Sequence, residues 1–177
     1  MKIKIGKTFL GNNLPAFIVA EMSGNHGGKI SRAIKIIKAA KRAGANAIKL
    51  QAYTADTITL KCNNKDFLIS KESPWYQKKN LWNLYKFAYT PSTWFKRLFE
   101  EAKKINIEIF ASPFDENTVD ILEKLNCPAY KIASPEINHI PLLKKVAKTK
   151  KPIILSTGLS NYKDIKLAIK TIKLLGN

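Results

Sequence analysis

Residues 129–136, with the sequence AYKIASPE, place a lysine inside an apolar run and a hydroxyl and a carboxylate just beyond it. The alternation of apolar residues with Lys131 predicts a short buried strand, and Ser134 and Glu136 follow at the point where this strand would end. Burial of an ammonium group in apolar surroundings costs free energy unless a ligand or a partner compensates for it. The stretch therefore indicates either a site for an anion or an ion pair between Lys131 and Glu136.

Four other predicted strands also carry polar residues at their C-terminal ends, which in a parallel sheet meet at one edge. Two ammonium groups with several hydroxyls suit a small anion of two or three charges, such as a phosphorylated carboxylate. Glu21 and Glu136 could act as acid or base or could orient a substrate hydroxyl. The alternative is that they pair with Lys49 and Lys131 and simply fill the interior of the sheet. The polar residues of the four strands are Glu21, Lys49 with Gln51, Ser112 and Ser156.

The two histidines stand apart from this pattern. His26 lies in a loop bracketed by glycines, where it could contact a substrate, and His139 is expected on the surface. Neither has a second ligand at metal-binding spacing, so the histidines by themselves do not indicate a metal site. Cys62 and Cys127 are also far apart, and we expect two free thiols in a cytosolic protein.

Strand and helix alternate five times around these residues, and the strands are apolar on both faces. We expect an α/β fold of the (β/α)8 TIM-barrel type, truncated to about five βα units, because such a barrel builds its active site at the C-terminal strand ends. The sequence contains neither G-x-G-x-x-G nor G-x-x-x-x-G-K-[ST], which disfavours a nucleotide-binding sheet. The predicted core strands are at 17–21, 47–51, 107–114, 129–136 and 152–158.

Helices are predicted between the strands. Ser31 is expected to cap the first helix, which Gly44 ends, and Thr90 and Pro91 are expected as the N-cap and first residue of a later helix. Residues 53–73 are predicted to form a long loop of the kind that is often functional. Further helices are predicted at 80–89, 117–125, 140–147 and 162–175.

The net charge of +18 comes from 31 basic and 13 acidic residues, and nearly all of the basic ones are lysines spread over helix faces. Surfaces that read bases or grip phosphates with two hydrogen bonds favour arginine, so no nucleic-acid partner is predicted. No apolar run approaches the length of a membrane span, and the first residues lack the apolar core of a signal peptide. We therefore expect no membrane partner and a cytoplasmic location.

At these residues the sequence resembles the sialic acid (nonulosonate) synthases. The resemblance covers nearly the whole chain, and residues 84–91 with Trp94 resemble the pseudaminic acid synthase branch more than the N-acetylneuraminate branch. The motifs that carry it are at residues 17–26 (FIVAEMSGNH), 47–56 (AIKLQAYTAD), 112–115 (SPFD), 129–136 (AYKIASPE) and 152–158 (PIILSTG).

The resemblance implies an enzyme that condenses phosphoenolpyruvate with an N-acetylated amino sugar to give a nonulosonic acid and phosphate. It also implies a divalent metal, manganese or magnesium, that polarises the sugar aldehyde. Gln51 and Tyr53 would face the sugar, and Glu21 and Glu136 would transfer protons or orient hydroxyls. The residues that would hold the phosphate and carboxylate of phosphoenolpyruvate are Lys49, Ser112, Lys131, Ser134 and Ser156.

The resemblance further implies eight strands, two metal-binding histidines on later strands, and a small C-terminal antifreeze-like domain that reaches across a homodimer. We expect residues 1–177 to be the N-terminal portion of such a barrel, with a leading strand or hairpin at 1–14 and without the antifreeze-like domain or the histidine ligands. The chain alone is then expected to be inactive, or to need a complementing polypeptide. The alternatives are an inactive truncated remnant, a partner subunit of a synthase, and, less favoured, an aldolase in which Lys49 or Lys131 forms a Schiff base.

Overall fold

Five short apolar segments pair side by side in parallel, in the same order in which they occur along the chain. The computed structural model describes residues 2–176 and shows these segments as a curved half-barrel of β-strands covered by helices on one face. The sequential order β3-β4-β5-β6-β7 is that of a (β/α) barrel, and the predicted fold class is confirmed. The strands are β1 (Lys2–Ile5), β2 (Thr8–Gly11), β3 (Val19–Glu21), β4 (Ala47–Ala52), β5 (Glu108–Pro113), β6 (Tyr130–Ile132) and β7 (Ile153–Leu155).

The helices lie between the parallel strands, with two additional helices in the segment that joins β4 to β5. Residues 53–73, predicted as a loop, contain the short helix α2 and one 3₁₀ turn. No helix of the described part of the chain is long and apolar enough to cross a membrane. The helices are α1 (Ile30–Arg42), α2 (Ala55–Ile58), α3 (Leu81–Ala88), α4 (Ser92–Lys104), α5 (Glu116–Lys124), α6 (Ile140–Lys148) and α7 (Tyr162–Leu174), and the 3₁₀ turns are Lys65–Phe67, Tyr76–Lys78 and Ser134–Asn138.

Two of the predicted helix caps are wrong. Helix α1 begins two residues earlier than expected, with Lys29 at its N-cap and no side-chain cap, so Ser31 lies inside the first turn. Helix α4 begins at Ser92 with Pro91 at the N-cap. The Thr90 hydroxyl is buried and bonds to a histidine instead, because that bond satisfies a buried imidazole.

The alternation of side chains along the strands separates two faces of the sheet. Ile48, Leu50 and Ala52 of β4 are fully buried beneath the helices, whereas Lys49 and Gln51 on the opposite, concave face are only partly buried. Parallel pairing then extends this polar face across the sheet, because in-register residues point the same way. The strand register thus decides which predicted site residues share a face.

The N-terminal strands β1 and β2 form an antiparallel hairpin at the N-terminal end of the sheet. Ile5 of this hairpin is part of the hydrophobic core, and the turn after it is fixed by Glu108, whose Oε1 accepts the backbone N–H of Lys7 at 2.7 Å. The hairpin therefore packs against the end of the half-barrel opposite to the polar strand ends.

Candidate active site at the strand ends

The first predicted pair of charged residues lies on neighbouring strands. Glu21 at the end of β3 is in register with Lys49 of β4, and the two side chains form an ion pair. The Lys49 side chain is only 17% exposed, so its ammonium group is largely removed from water. Of the ion pairs expected under the alternative interpretation, the one between Glu21 and Lys49 is therefore formed. Glu21 also accepts hydrogen bonds from the backbone and hydroxyl of Ser23, each at 3.1 Å.

Lys131, two strands away, is placed differently. Its Nζ donates to the carbonyl oxygen of Ile132 at 2.8 Å. Burial lowers the pKa of Lys131, and the nearby ammonium group of Lys49 lowers it further, although the carboxylates of Glu21 and Glu136 act in the opposite direction. The two lysines and two glutamates therefore form one electrostatic cluster, as the sequence predicted. The environment as a whole still disfavours a charge on Lys131 when no anion is bound.

Glu136 lies in the 3₁₀ turn that follows β6. Its Oε2 atom is buried and has no hydrogen-bond partner among the described residues, so the ion pair with Lys131 that would fill the interior is not formed. Burial raises the pKa of Glu136, and a backbone hydrogen bond and the charge of Lys131 only partly offset this effect. A buried carboxylate oxygen without a hydrogen-bond partner costs free energy, which is typical of a functional position.

Three serines surround this cluster at the strand ends. Ser112 is only 2% exposed and lies in register with Gln51. Ser134 Oγ accepts the backbone N–H of Leu159 at 2.7 Å, and the backbone N–H of Ser156 donates to the Ile132 carbonyl at 3.1 Å. The loop after β7 is thus tied to the end of β6, which brings the hydroxyls of Ser134 and Ser156 to the same part of the edge.

Gln51 and Tyr53 extend from the charged cluster to a group of three aromatic residues, which we call the aromatic wall. In this wall the Tyr53 ring packs edge-to-face on Tyr85 of α3 and on Phe114, with centroid distances of 5.6 and 5.4 Å. Tyr85 and Phe114 did not emerge as candidates from the sequence. The position of Phe114 two residues beyond Ser112 could have indicated it, because alternation places both on one face. No local signal marked Tyr85, which α3 brings from 32 residues along the chain.

The His26 side chain lies inside the protein, and both of its ring nitrogens have partners. It is fully buried, its Nδ1 accepts the Gly28 N–H at 3.1 Å, and its Nε2 lies 3.1 Å from Thr90 Oγ1. Because Nδ1 is an acceptor, the proton of the neutral ring is on Nε2 and is donated to Thr90. The ring also packs edge-to-face on Trp94, and burial lowers the pKa of His26. The structure therefore gives His26 a role in holding the loop after β3, and its predicted contact with a substrate gains no support.

Comparison with known proteins identifies the family of the chain. A sequence model of the NeuB family matches residues 36–177, which is most of the chain. The chain belongs to the NeuB family. It is 42% identical over 163 residues to the pseudaminic acid synthase of Helicobacter pylori, covering 92% of this chain and 47% of that protein. It is 45% identical over 149 residues to the pseudaminic acid synthase of Campylobacter jejuni serotype O:2, covering 84% of this chain and 43% of that protein.

Among solved structures, this NeuB-family chain resembles the N-acetylneuraminic acid (sialic acid) synthetase of Leptospira borgpetersenii, whose structure contains citrate. The TM-score is 0.85 at 34% identity, and the match covers 99% of this chain and 56% of that one. The family predicted from the sequence motifs is confirmed. The chain spans about half the length of the curated relatives it matches, with 47% and 43% of the two pseudaminic acid synthases covered.

The described residues do not provide a set of ligands for the metal expected for this family. Residues 2–176 contain no group of three or more histidine, cysteine, aspartate or glutamate side chains that could hold an ion. Glu21 is paired with Lys49, and both nitrogens of His26 are engaged within the protein. The described residues at the strand ends thus suit an anion rather than a metal ion.

Proposed function

We propose that this chain binds phosphoenolpyruvate for a nonulosonic acid synthase reaction, in which the enolpyruvate unit is joined to an N-acetylated amino sugar and phosphate is released. The observation that carries the proposal is the proximity of Lys49 and Lys131 in one partly buried cluster. Neighbouring ammonium groups repel each other, and a multiply charged anion would remove this repulsion. Membership of the NeuB family and the similarity to pseudaminic acid synthases support the reaction class.

In this reaction C3 of phosphoenolpyruvate attacks the aldehyde carbon of the sugar and forms the new carbon–carbon bond. The aldehyde oxygen takes up a proton, water adds to C2, and the bond between C2 and the phosphate oxygen breaks. Inorganic phosphate leaves with that oxygen. Charge moves onto the phosphate as this bond breaks, so ammonium and hydroxyl groups fixed at the strand ends stabilise the transition state.

Specific roles follow for the residues of the cluster. Lys49, Lys131 and the hydroxyls of the three serines would bind the phosphate and carboxylate groups, and Gln51 would lie on the sugar side. Glu136, whose pKa is raised by burial, would hold a proton and donate it to a departing oxygen. Glu21 would orient Lys49 through their ion pair until the anion binds. The three serines are Ser112, Ser134 and Ser156.

A divalent metal, homodimer formation and a cytoplasmic location remain predictions. The described residues contain no group of three or more histidine, cysteine, aspartate or glutamate side chains that could hold an ion, so ligands from outside residues 2–176 would have to complete a site for manganese or magnesium. Within that part of the chain the site would supply anion binding and proton transfer.

The second candidate is a partner subunit or an inactive remnant of such a synthase. The observation that favours it is the edge of the sheet, because β7 pairs with β6 alone among the described strands. A groove of 670 Å³ runs along this edge between the hairpin and α7, lined by Ile153, Ile154 and Ile172 among others. An unpaired apolar edge of this kind suits a further strand and helix, which in the second candidate a complementing polypeptide would supply.

The test of the main candidate is calorimetric titration of the 177-residue chain with phosphoenolpyruvate. We expect Lys49→Met and Lys131→Met each to weaken binding by about tenfold to a hundredfold, the effect of losing a charge-assisted hydrogen bond. Lys35→Met, which removes an exposed lysine from the outer face of α1, is the matched control and should bind as the wild type does. Absence of binding in the wild type would contradict the proposal, as would equal losses in all three variants.

Phosphate release tests whether the isolated chain is catalytically competent. We expect the chain alone, given phosphoenolpyruvate, N-acetylmannosamine and Mn²⁺, to release no phosphate. Turnover by the isolated chain would exclude an inactive remnant. Irreversible attachment of pyruvate to Lys49 or Lys131 on addition of borohydride would instead favour the Schiff-base aldolase.

A further inference from the structure

The aromatic wall lies beyond the charged cluster in the direction in which the strands run. Gln51 and Ser112 are in register on the concave face, and Tyr53 and Phe114 each lie two residues further along. Two residues of extended chain span about 7 Å, so the aromatic rings form the next layer outward from the serine and glutamine layer. The wall therefore borders the space in which a second substrate would meet a bound anion.

Tyr85 is the member of this wall that a ligand can reach. Tyr53 and Phe114 are each only 6% exposed, whereas Tyr85 is partly exposed and packs on the Tyr53 ring. Burial and the neighbouring Tyr85 phenol raise the pKa of Tyr53 to about 12, so the Tyr53 hydroxyl group is neutral at physiological pH. The surface offered to a ligand is an aromatic ring with a phenol at its edge.

Helix α3 carries Tyr85 and is itself held in place by side-chain hydrogen bonds at two positions outside the aromatic wall. The N-cap residue Asn80 donates from Nδ2 to Asn63 Oδ1 at 2.7 Å and accepts the Asn83 N–H at 2.9 Å. Trp82 donates from Nε1 to Asp56 of α2 at 2.8 Å. A side chain carried by a helix fixed at several points can discriminate between ligands, because its position does not adapt to them.

We propose that Tyr85 is a specificity-determining residue that contacts the N-acyl group of a 2-acylamino sugar at this site. The inference rests on the proposed function, because phosphoenolpyruvate at the lysine cluster defines where the sugar aldehyde must lie. In a 2-acylamino sugar the amide nitrogen is bonded to the carbon next to the aldehyde, so the acyl group lies within one layer of the reacting atoms. Its methyl group suits an aromatic ring, and its amide suits a phenol hydroxyl.

The test is saturation-transfer NMR of N-acetylmannosamine with the 177-residue chain in the presence of phosphoenolpyruvate. We expect the acetyl methyl group to receive the strongest saturation, and mannosamine and mannose to give at least fivefold less transfer. Tyr85→Ala should remove most of the transfer to the methyl group. Tyr85→Phe should retain it, because the ring remains.

Phe87→Ala is the matched control, since Phe87 is an exposed aromatic residue on the same helix and lies beneath the ammonium group of Lys78. This variant should leave the methyl signal unchanged. Calorimetric titration should show unchanged binding of phosphoenolpyruvate in all three variants, which also establishes that they are folded. Binding of phosphoenolpyruvate without saturation of the methyl group, or with equal saturation in Tyr85→Ala, would overturn this inference alone. Failure of the wild type to bind phosphoenolpyruvate would overturn the proposed function and this inference with it.

Discussion

At the N-terminal end of the sheet, Glu108 Oε1 accepts the Lys7 backbone N–H at 2.7 Å, and the Asn106 carbonyl accepts Lys41 Nζ at 2.8 Å. At the C-terminal end, Glu136 Oε2 is buried without a partner in the described residues, and Lys131 lies close enough to Lys49 for its pKa to fall. The same sheet thus satisfies these polar groups at one end and leaves Lys131 and Glu136 in unfavourable surroundings at the other. Because both ends are built by the same strands, the difference lies in the side chains placed at each end.

The contrast indicates which end has been shaped by stability and which by ligand binding. Polar groups that pair with each other add to the free energy of unfolding, whereas unpaired buried groups subtract from it until a ligand arrives. In (β/α) barrels the C-terminal strand ends form the active site and the N-terminal ends contribute stability. This half-barrel follows that division. Substitutions at the two ends should therefore change stability in opposite directions.

The largest effect on stability is expected at the turn of the N-terminal hairpin. Gly6 has a φ of +57°, and a Cβ there would overlap the Glu108 carboxylate that holds Lys7. Gly6→Ala should lower the free energy of unfolding by about 2 kcal/mol, about half from backbone strain and half from the displaced hydrogen bond. Urea denaturation of both proteins measures this difference.

Gly44 at the end of α1 provides the matched control, because its φ is +86° and a Cβ there would meet no atom within 4 Å. Gly44→Ala should incur backbone strain alone, about 1 kcal/mol. Equal losses in the two variants would mean that the contact with Glu108 contributes nothing to the stability of this end.

The next effect has the opposite sign and concerns the C-terminal end. Lys131→Met should raise the free energy of unfolding by about 0.5–1 kcal/mol, because it removes a buried charge while keeping a side chain of similar length. The Ile132 carbonyl remains satisfied, since it also accepts the Ser156 N–H at 3.1 Å. Urea denaturation with Lys35→Met as the control checks this prediction. A loss of stability would show that Lys131 is a structural residue.

Much of the fold could be predicted from the sequence because its signals are local. Apolar runs predicted all five parallel strands, and polar residues at their ends predicted the edge at which they meet. The errors at Ser31 and Thr90 have a common physical cause. Both residues are good helix caps in isolation, but the chain used Lys29 and Pro91, and Thr90 was recruited by the buried His26.

The candidate site was predictable to the extent that it depends on strand alternation. Lys49 and Lys131 were expected to lie together, and their mutual influence in the structure agrees with this. Two features depend on how separate elements pack, so the sequence could not reveal them. One is the choice of partners, in which Glu21 pairs with Lys49 while Glu136 remains unpaired. The other is the approach of Tyr85, which depends on where α3 packs rather than on any spacing near β4.

The smallest effect is a change of binding with pH that depends on Lys131. Its lowered pKa means that it loses its charge at a lower pH than an ordinary lysine, so affinity for phosphoenolpyruvate should fall as the pH rises through the alkaline range, earlier than an ordinary lysine would allow. Phosphate monoesters have a pKa near about 6 and keep a constant charge over this range. The fall should not exceed about tenfold per pH unit, because a single proton is lost.

The free energy of unfolding should change in the other direction. Below the ordinary lysine pKa the unfolded chain holds more protons than the folded one, so stability rises with pH. Titrations at pH 7.5, 8.5 and 9.5 measure the first trend and urea denaturation the second. Lys131→Arg keeps its charge throughout and should flatten both, whereas equal slopes in wild type and variant would assign the titration to another group.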